Sequence, residues 1–337
     1  MIIDGHTHGQ HGGYLNELEK AGGDWAKKIL DYLYSVARRK PHLFDVGLRL
    51  EMLDRNGIDL QVVTPVNYID SNFLPGNTSA QTAMARAIND NMAKLMDASK
   101  GRLLSVGNIP LVNFESGGLQ EMERAIKALG LKAISLPTNV NGKPLDLPEF
   151  ESFWARAAEM DVPVYIHPAN PINQVDRSYE KDYDLTHNFG WPYETMLMLT
   201  RLVFSGIMAR YPALKIVSHH LGGGLPFMWG RLDETYSREN LVGHKERNVS
   251  ESLSKPLFDY FASFYYDTAV GGGGPAIRCT YEVFGVDRIV FATDAPWGPG
   301  TGEIRLANYP KVIKDLGFSE ADNKKIFETN IRRVLNV

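Results

Sequence analysis

The chain has 337 residues, of which 44% are hydrophobic and 23% are charged, the mix of a soluble globular protein with a substantial core. Its 36 basic and 40 acidic residues give a net charge of −4, which excludes the basic excess of most nucleic-acid-binding proteins. No apolar run approaches the roughly 20 residues that span a bilayer, and the first residues do not resemble a secretory signal. The only cysteine, Cys279, excludes an internal disulfide, so we expect a cytoplasmic protein.

Short apolar runs rich in β-branched residues recur along the chain and alternate with amphipathic segments. Eight runs are predicted as strands: residues 2–8, 60–66, 103–109, 132–137, 162–167, 215–220, 264–268 and 289–293. Helical spacing of apolar residues predicts helices over residues 80–99, 119–129 and 150–160. Strands that alternate with helices indicate a parallel sheet. Eight units favour a closed (β/α)8 barrel, with a doubly wound sheet as the alternative.

Three stretches do not fit the repeating unit and are predicted as loop insertions after strands one, five and six. They are residues 11–40, 170–193 and 237–254. Barrel active sites form from the loops at the carboxyl ends of the strands, so these insertions should build the substrate pocket or a subunit contact. No linker divides the chain, and we expect a single domain over residues 1–337.

The first predicted strand ends in the sequence Asp-Gly-His-Thr-His, which places histidines at positions 6 and 8. Successive side chains of a strand point to opposite faces, so His6 and His8 should both project into the barrel. Two imidazoles at this spacing can bind one cation at about 2.0–2.1 Å each. An arbitrary His-x-His pair is as often packed or solvent-exposed, but its position at the carboxyl end of a barrel strand favours a metal site.

Two further ligand-type residues end predicted strands. His167 follows Val-Tyr-Ile at the end of the fifth strand, and Asp294 follows Ile-Val-Phe-Ala-Thr at the end of the eighth. A lone histidine is more often structural, and an aspartate can cap a helix, but a buried carboxylate without a partner is costly. Three imidazoles and one carboxylate at one end of a barrel predict a metal site formed by His6, His8, His167 and Asp294. The fourth strand offers no inward lysine to bridge two ions, which favours one.

The sixth predicted strand runs into the sequence Ser-His-His-Leu-Gly-Gly-Gly-Leu-Pro. Its three glycines let the backbone approach a ligand closely or adopt positive φ. His219 and His220 should stand at the lip of the same pocket, where a histidine that binds no metal is suited to general acid or base catalysis. Strand alternation gives the two opposite faces, so we expect only one to face the metal.

As a set, these motifs resemble the decarboxylase branch of the amidohydrolase superfamily. The motifs are Asp-x-His-x-His, His-Pro, His-x-Gly-Gly-Gly-x-Pro and Thr-Asp, and the resemblance covers residues 2–298. It is strongest to the aminocarboxymuconate-semialdehyde decarboxylases and weaker to the γ-resorcylate and dihydroxybenzoate decarboxylases. It implies one divalent ion, zinc or alternatively manganese, on His6, His8, His167 and Asp294.

The resemblance also implies roles for residues around the metal. The catalytic histidine of the family stands six residues before the proline, which is His220 here, and this leaves His219 as the structural one. Two arginines that bind the substrate carboxylate align with Arg49 and Arg231, and the family supplies the second from the neighbouring subunit of a homodimer. Arginine suits this role because its planar fork can bind a carboxylate through two hydrogen bonds, although a surface salt bridge is the alternative for each. Trp297 is either a stacking wall of the pocket or part of the core.

The activity implied is non-oxidative decarboxylation of a small unsaturated or aromatic carboxylic acid. A metal-bound water with its pKa lowered towards about 7 and His220 would handle the proton, with Asp294 contributing to catalysis. Hydration of a double bond or protonation of an unsaturated carbon would then create the electron sink. The same site would serve a hydrolase of a lactone, amide or carbon–carbon bond, or a hydratase of an unsaturated diacid. A metal-binding scaffold without turnover is disfavoured because no ligand of the set is missing.

Overall fold

Eight parallel strands pair in chain order into one sheet. The structure is a computed structural model and describes residues 1–21, 23–65, 78–111, 117–140, 142–169, 183, 185–236, 249 and 251–337. The strands are β1 Ile3–His8, β2 Leu60–Thr64, β3 Leu103–Gly107, β4 Ala133–Pro137, β5 Val164–His167, β6 Ile216–Ser218, β7 Tyr265–Asp267 and β8 Ile289–Val290. Backbone hydrogen bonds from Gly5 to Phe291 (2.7 Å) and from His8 to Ala295 (2.8 Å) join the last strand to the first. The predicted (β/α)8 barrel is confirmed.

Helices follow the strands on the outside of the barrel. The first seven are α1 Gly13–Ala21, α2 Gly23–Arg39, α3 Val46–Asn56, α4 Thr78–Ala98, α5 Leu119–Glu123, α6 Glu151–Glu159 and α7 Trp191–Phe204. The next seven are α8 Ile207–Arg210, α9 Leu225–Tyr236, α10 Leu257–Phe261, α11 Gly274–Phe284, α12 Glu303–Asp315, α13 Glu320–Lys324 and α14 Asn330–Leu335. None of the helices in the described ranges is long and apolar enough to cross a membrane.

The barrel divides into an apolar end and a polar end. Alternation along β2 sends Val62 into the barrel interior and Val63 to the layer between strands and helices. Inward side chains from the other strands, among them Tyr165 and Val217, fill the interior at the amino end. Helix α14 covers that end with Ile331 and its neighbours. Polar side chains are therefore concentrated at the carboxyl ends of the strands.

Two sequence predictions differ from the structure. Residues 11–40, predicted as a loop insertion, form helices α1 and α2, whose apolar side chains Leu18, Ile29 and Leu33 are buried in the core. The sixth strand ends at Ser218 rather than at residue 220, because the chain turns sharply there. Most of the predicted insertions 170–193 and 237–254 lies outside the described residues.

Candidate metal centre

The carboxyl end of β1 presents two buried histidines to one point. Nε2 of His6 lies 3.3 Å from Nε2 of His8. Nδ1 of His6 lies 3.0 Å from Oδ2 of Asp267, and Nδ1 of His8 lies 3.1 Å from Oγ1 of Thr64. The Thr64 hydroxyl donates to the carbonyl of Thr7 at 2.9 Å, so its oxygen accepts from His8. These contacts favour the tautomer with the proton on Nδ1 in both rings, which turns the two Nε2 lone pairs towards each other, an arrangement that a shared cation stabilises.

His167 and Asp294 complete the cluster. Nδ1 of His167 lies 2.7 Å from the carbonyl oxygen of Pro168, which fixes the proton there and leaves Nε2 as the ligand atom. Potential ligand atoms of His6, His8 and His167 all lie within 4.8 Å of one another. Oδ1 of Asp294 lies 3.2 Å from Nε2 of His8. The structure therefore brings the four predicted ligands together, and three imidazoles with one carboxylate fit a single divalent ion.

The protonation states of these side chains suit metal binding. Burial lowers the pKa of His8 and, together with the neighbouring histidines, holds that of His167 well below its ordinary value. Burial would raise the pKa of Asp294, but the adjacent histidines hold it below its ordinary value. At His6, burial acts against protonation, yet the Asp267 carboxylate raises the pKa. Neutral imidazoles and an ionised carboxylate are the forms that bind a metal.

The histidine pair after β6 lies beside this cluster. Its second member, His220, has φ +56° and places Nδ1 2.6 Å from the carbonyl oxygen of Ala269, which leaves Nε2 for substrate. The ring centroids of His219 and His220 lie 3.5 and 5.9 Å from that of His6. Both rings therefore lie close to His6, and the expectation that only one of them faces the metal stays a prediction.

The glycine run fixes this turn against the barrel wall. Gly222 and Gly223 have φ +67° and +68°, as the sequence predicted. A Cβ on Gly223 would lie 2.0 Å from the carbonyl oxygen of Pro192, and one on Gly222 would lie 2.8 Å from the ring of Tyr266. The glycines therefore permit close contact with α7 and β7, which sets the position of the preceding His220.

The two predicted substrate-binding arginines occupy different environments. Arg49 on α3 is buried, with Nε 2.8 Å from Oε1 of Gln61 and Nη2 2.6 Å from Oγ1 of Thr7. It also donates to the carbonyl of His8. Arg49 thus braces β1 from behind a metal ligand, and its role in substrate binding stays a prediction. Arg231 on α9 is exposed, so within a single chain it faces solvent.

Tryptophans stand on two sides of the histidine cluster. The ring centroid of Trp297 lies 6.2 Å from that of His8, and the ring of Trp191 lies 6.1 Å from that of His167. Trp191 was not singled out in the sequence. Its buried Nε1 has no hydrogen-bond partner within the described part of the chain. Both rings thus lie beside the cluster, and a role of Trp297 as a wall of the substrate pocket stays a prediction.

Two charged residues that touch the ligands were also missed from the sequence. Asp267 ends β7 and lies against His6, so the rule that identified the other strand-end residues would have found it. Arg305 on α12 places Nη1 3.0 Å from Oδ2 of Asp294. Nothing in the sequence around residue 305 marks this contact, because it depends on how α12 packs after the eighth strand.

A (β/α)8 barrel with three histidines and an aspartate at the ends of β1, β5 and β8 defines a metal-dependent barrel enzyme. The family model described as Amidohydrolase matches residues 3–337, and the chain belongs to this family. The predicted resemblance is confirmed.

Curated relatives extend over most of the chain. The 2-amino-3-carboxymuconate-6-semialdehyde decarboxylase of Dictyostelium discoideum is 27% identical, covering 100% of this chain and 92% of that protein. The γ-resorcylate decarboxylase of Rhizobium sp. (strain MTP-10005) is 29% identical and covers 91% of each. The 2-keto-4-carboxy-3-hexenedioate hydratase of Sphingobium sp. (strain NBRC 103272 / SYK-6) is 23% identical and covers 99% and 96%. The chain is therefore an enzyme whose relatives over most of its length include two decarboxylases and one hydratase.

Solved structures share the architecture. The 2,6-dihydroxybenzoate decarboxylase from Rhizobium has a TM-score of 0.80 at 25% identity, covering 99% of this chain and 98% of that one. The dihydroxybenzoic acid decarboxylase from Polaromonas sp. JS666, with bound manganese and an inhibitor, has a TM-score of 0.75 at 24% identity, covering 99% and 96%. The fold of this chain is therefore that of known decarboxylases along nearly its whole length.

Proposed function

We propose that this enzyme removes carbon dioxide, without oxidation, from a small aromatic or unsaturated carboxylic acid. The observation that carries the proposal is the His220 ring, held by the Ala269 carbonyl at 2.6 Å beside the histidine cluster, with its other nitrogen free to transfer a proton. A histidine in this place is unnecessary for binding a metal. Decarboxylase relatives over the full chain length support the same chemistry.

Each residue then has a defined task. A divalent ion held by His6, His8, His167 and Asp294 supplies Lewis acidity to an oxygen of the substrate or to water. His220 delivers a proton to the carbon that bears the carboxylate. The bond from that carbon to the carboxylate then breaks, its electrons return to the unsaturated system, and carbon dioxide leaves. The proton that takes the place of the carboxylate is the one that His220 delivered, and the His220 ring regains a proton from solvent.

We propose zinc as the resident ion, with manganese as the alternative. Imidazole nitrogens and carboxylate oxygens are common ligands of zinc in proteins. Manganese also accepts nitrogen and oxygen ligands, and the Polaromonas structure holds it. Metal analysis of the purified protein, followed by reconstitution of the metal-free form with each ion separately, distinguishes the two by stoichiometry and turnover.

A homodimer is proposed for substrate binding. Arg231 is exposed on α9, and Phe227, one turn earlier on the same helix, has 82% of its surface exposed. A large exposed apolar side chain in this position favours a subunit interface. Such an interface would bring Arg231 close to the metal site of the neighbouring subunit. Light scattering on the wild type and on Phe227→Glu should show a dimer that the charge disrupts. We keep the prediction that Arg231 and Arg49 hold the substrate carboxylate in this assembly. We also keep the prediction that the enzyme is cytoplasmic.

The deciding experiment measures carbon dioxide release by metal-loaded protein. The acids to test are 2,6-dihydroxybenzoate, 5-carboxyvanillate and an unsaturated aliphatic diacid, in heavy water. Decarboxylation places one deuterium on the carbon that lost the carboxylate, and His220→Asn should abolish it while metal content stays at the wild-type level. Retention of full activity in His220→Asn would contradict the proposal.

The hydratase relative makes hydration the second candidate. A hydratase would add the mass of water to the unsaturated diacid and release no carbon dioxide. Mass spectrometry of the same reactions therefore separates the two activities.

A further inference from the structure

We propose that Asp267 is a positioning residue whose single carboxylate orients both the metal ligand His6 and the segment that carries His220. The inference rests on the proposed metal site and adds a residue to it that binds neither metal nor substrate. Its basis is the geometry around a fully buried side chain at the end of β7.

One carboxylate oxygen faces two imidazoles. Oδ2 of Asp267 lies 2.6 Å from Nδ1 of His219 and 3.0 Å from Nδ1 of His6. A carboxylate oxygen only accepts, so the hydrogen bond at 2.6 Å places the proton of His219 on Nδ1, and the ion-pair contact at 3.0 Å favours the same tautomer for His6. For His6 this is the tautomer that presents the Nε2 lone pair to a metal, the arrangement in which outer carboxylates support histidine ligands.

The other oxygen faces the backbone beside His220. Oδ1 of Asp267 accepts from the amide of His220 at 2.8 Å and from the amide of Ala269 at 3.0 Å. The carbonyl of Ala269 in turn holds Nδ1 of His220 at 2.6 Å. The same carboxylate therefore fixes the main chain at His220 and, through Ala269, the ring of the proton donor.

All four donors reach the carboxylate from side chains or amides that are shielded from water. The side chains of Asp267, His6 and His219 have 0% exposure. Removing an acceptor from such a place leaves donors that solvent cannot satisfy. The ring of His219 stacks on that of His6 at a centroid distance of 3.5 Å, so His219 packs the candidate ligand ring in place.

Asparagine and alanine separate the two tasks of the carboxylate. In Asp267→Asn, the amide oxygen can still accept from the two backbone amides, while its NH2 faces the imidazoles. An NH2 group donates, so His6 must accept on Nδ1 and carry its proton on Nε2, where the metal binds. Asp267→Ala removes both oxygens and frees the segment of His220 as well.

The test compares these two variants with Thr268→Ser, a control that changes the next buried residue but keeps the hydroxyl bonded to Ala292 and leaves the carboxylate untouched. For each, we would measure zinc affinity by competition with a chromogenic chelator and the visible absorption of the cobalt-substituted protein. Circular dichroism and kcat at saturating metal complete the set. Asp267→Asn should bind zinc about 10–100-fold more weakly, with an altered cobalt spectrum and a kcat close to that of the wild type. Asp267→Ala should lose both affinity and kcat, and Thr268→Ser neither.

The outcomes are separable. Wild-type affinity and cobalt spectrum in Asp267→Asn would overturn the role at His6 while leaving the metal site intact. Equal kcat at saturating metal in the alanine and asparagine variants would overturn the role at His220. A wild-type protein that binds no metal would instead refute the proposed function itself. If Asp267→Ala does not fold, the asparagine variant still decides the role at His6.

Discussion

The two ends of the metal cluster are supported in different ways. At the β1 end, His6 pairs with Asp267, and both side chains have 0% exposure. At the β8 end, Asp294 pairs with Arg305, and their side chains have exposures of 16% and 21%. Charges attract more strongly in the dry interior than beside water and salt. The comparison indicates that the interior ligands form a rigid platform, whereas Asp294 lies at the side open to solvent and substrate.

The largest effect is expected at Arg49, which supports β1 behind His8. Arg49→Met leaves the Gln61 side chain and the His8 carbonyl without their buried donor, and should lower the free energy of unfolding by about 3–5 kcal/mol. Urea unfolding of the metal-free protein measures it. Arg55→Met, on the same helix but paired at the surface with Glu303, is the matched control and should show no resolvable loss. Equal losses in the two variants would contradict a buried brace.

The second-largest effect is expected from the stabilisation of the folded protein by bound zinc. Zinc at 100 times its dissociation constant should stabilise the wild type by about 2.7 kcal/mol, seen as a rise in Tm that a chelator reverses. In His6→Asn the rise should disappear, because the cluster loses its most buried ligand. His187→Asn, an exposed histidine outside the cluster, should keep it. A metal-dependent rise that persists in His6→Asn would exclude this residue as a ligand.

A smaller loss is expected from the support of His8. Thr64→Val removes the oxygen that accepts from Nδ1 of His8 at 3.1 Å, and should weaken zinc binding about 10-fold. Thr64→Ser keeps the hydroxyl and should restore most of the affinity. Isothermal titration with a competing chelator measures both. If serine and valine behave alike, the packing of the side chain matters and its hydroxyl does not.

The smallest effect is expected at the open side. Arg305→Met removes the partner of Asp294 and should weaken zinc binding about 2–5-fold at low ionic strength, since partly exposed ion pairs contribute up to about 1 kcal/mol. Added salt should reduce the difference from the wild type, because it screens this pair. Arg305→Lys preserves the charge and should lie between the two. A loss as large as that of Thr64→Val, and insensitive to salt, would remove the contrast between the two ends.

The sequence predicted the barrel, and it predicted that four candidate ligands meet at one end of it, because both depend on local patterns. Alternation along β1 determines which way His6 and His8 point, and apolar runs lead to His167 at the end of β5 and to Asp294, four residues after β8. Because few residues separate each strand from these side chains, an error in a predicted strand boundary has little effect on where they lie.

The supporting contacts were not predicted because they depend on how separate segments pack, although the strand-end rule would have found Asp267 itself. Asp267 lies 48 residues from His219, and Arg305 reaches Asp294 only through the packing of α12. The helices over residues 11–40 were missed because their apolar residues were read as part of an insertion. The sharp turn after His219 was not predicted because it depends on the positive φ of His220 and Leu221, which a pattern of strand faces does not include.

The seam of the barrel has a consequence for the order of events during synthesis. Asp4 accepts from the amide of Thr293 at 2.9 Å, a contact between residues 289 positions apart. Asp4 thus helps to join the first strand to the segment after the last strand, close to the candidate ligands His6 and Asp294. Ribosomes add about 5–20 residues per second, so the first strand waits many seconds for the last. The nascent chain therefore cannot assemble its full set of ligands early, and metal capture should follow release of the finished polypeptide.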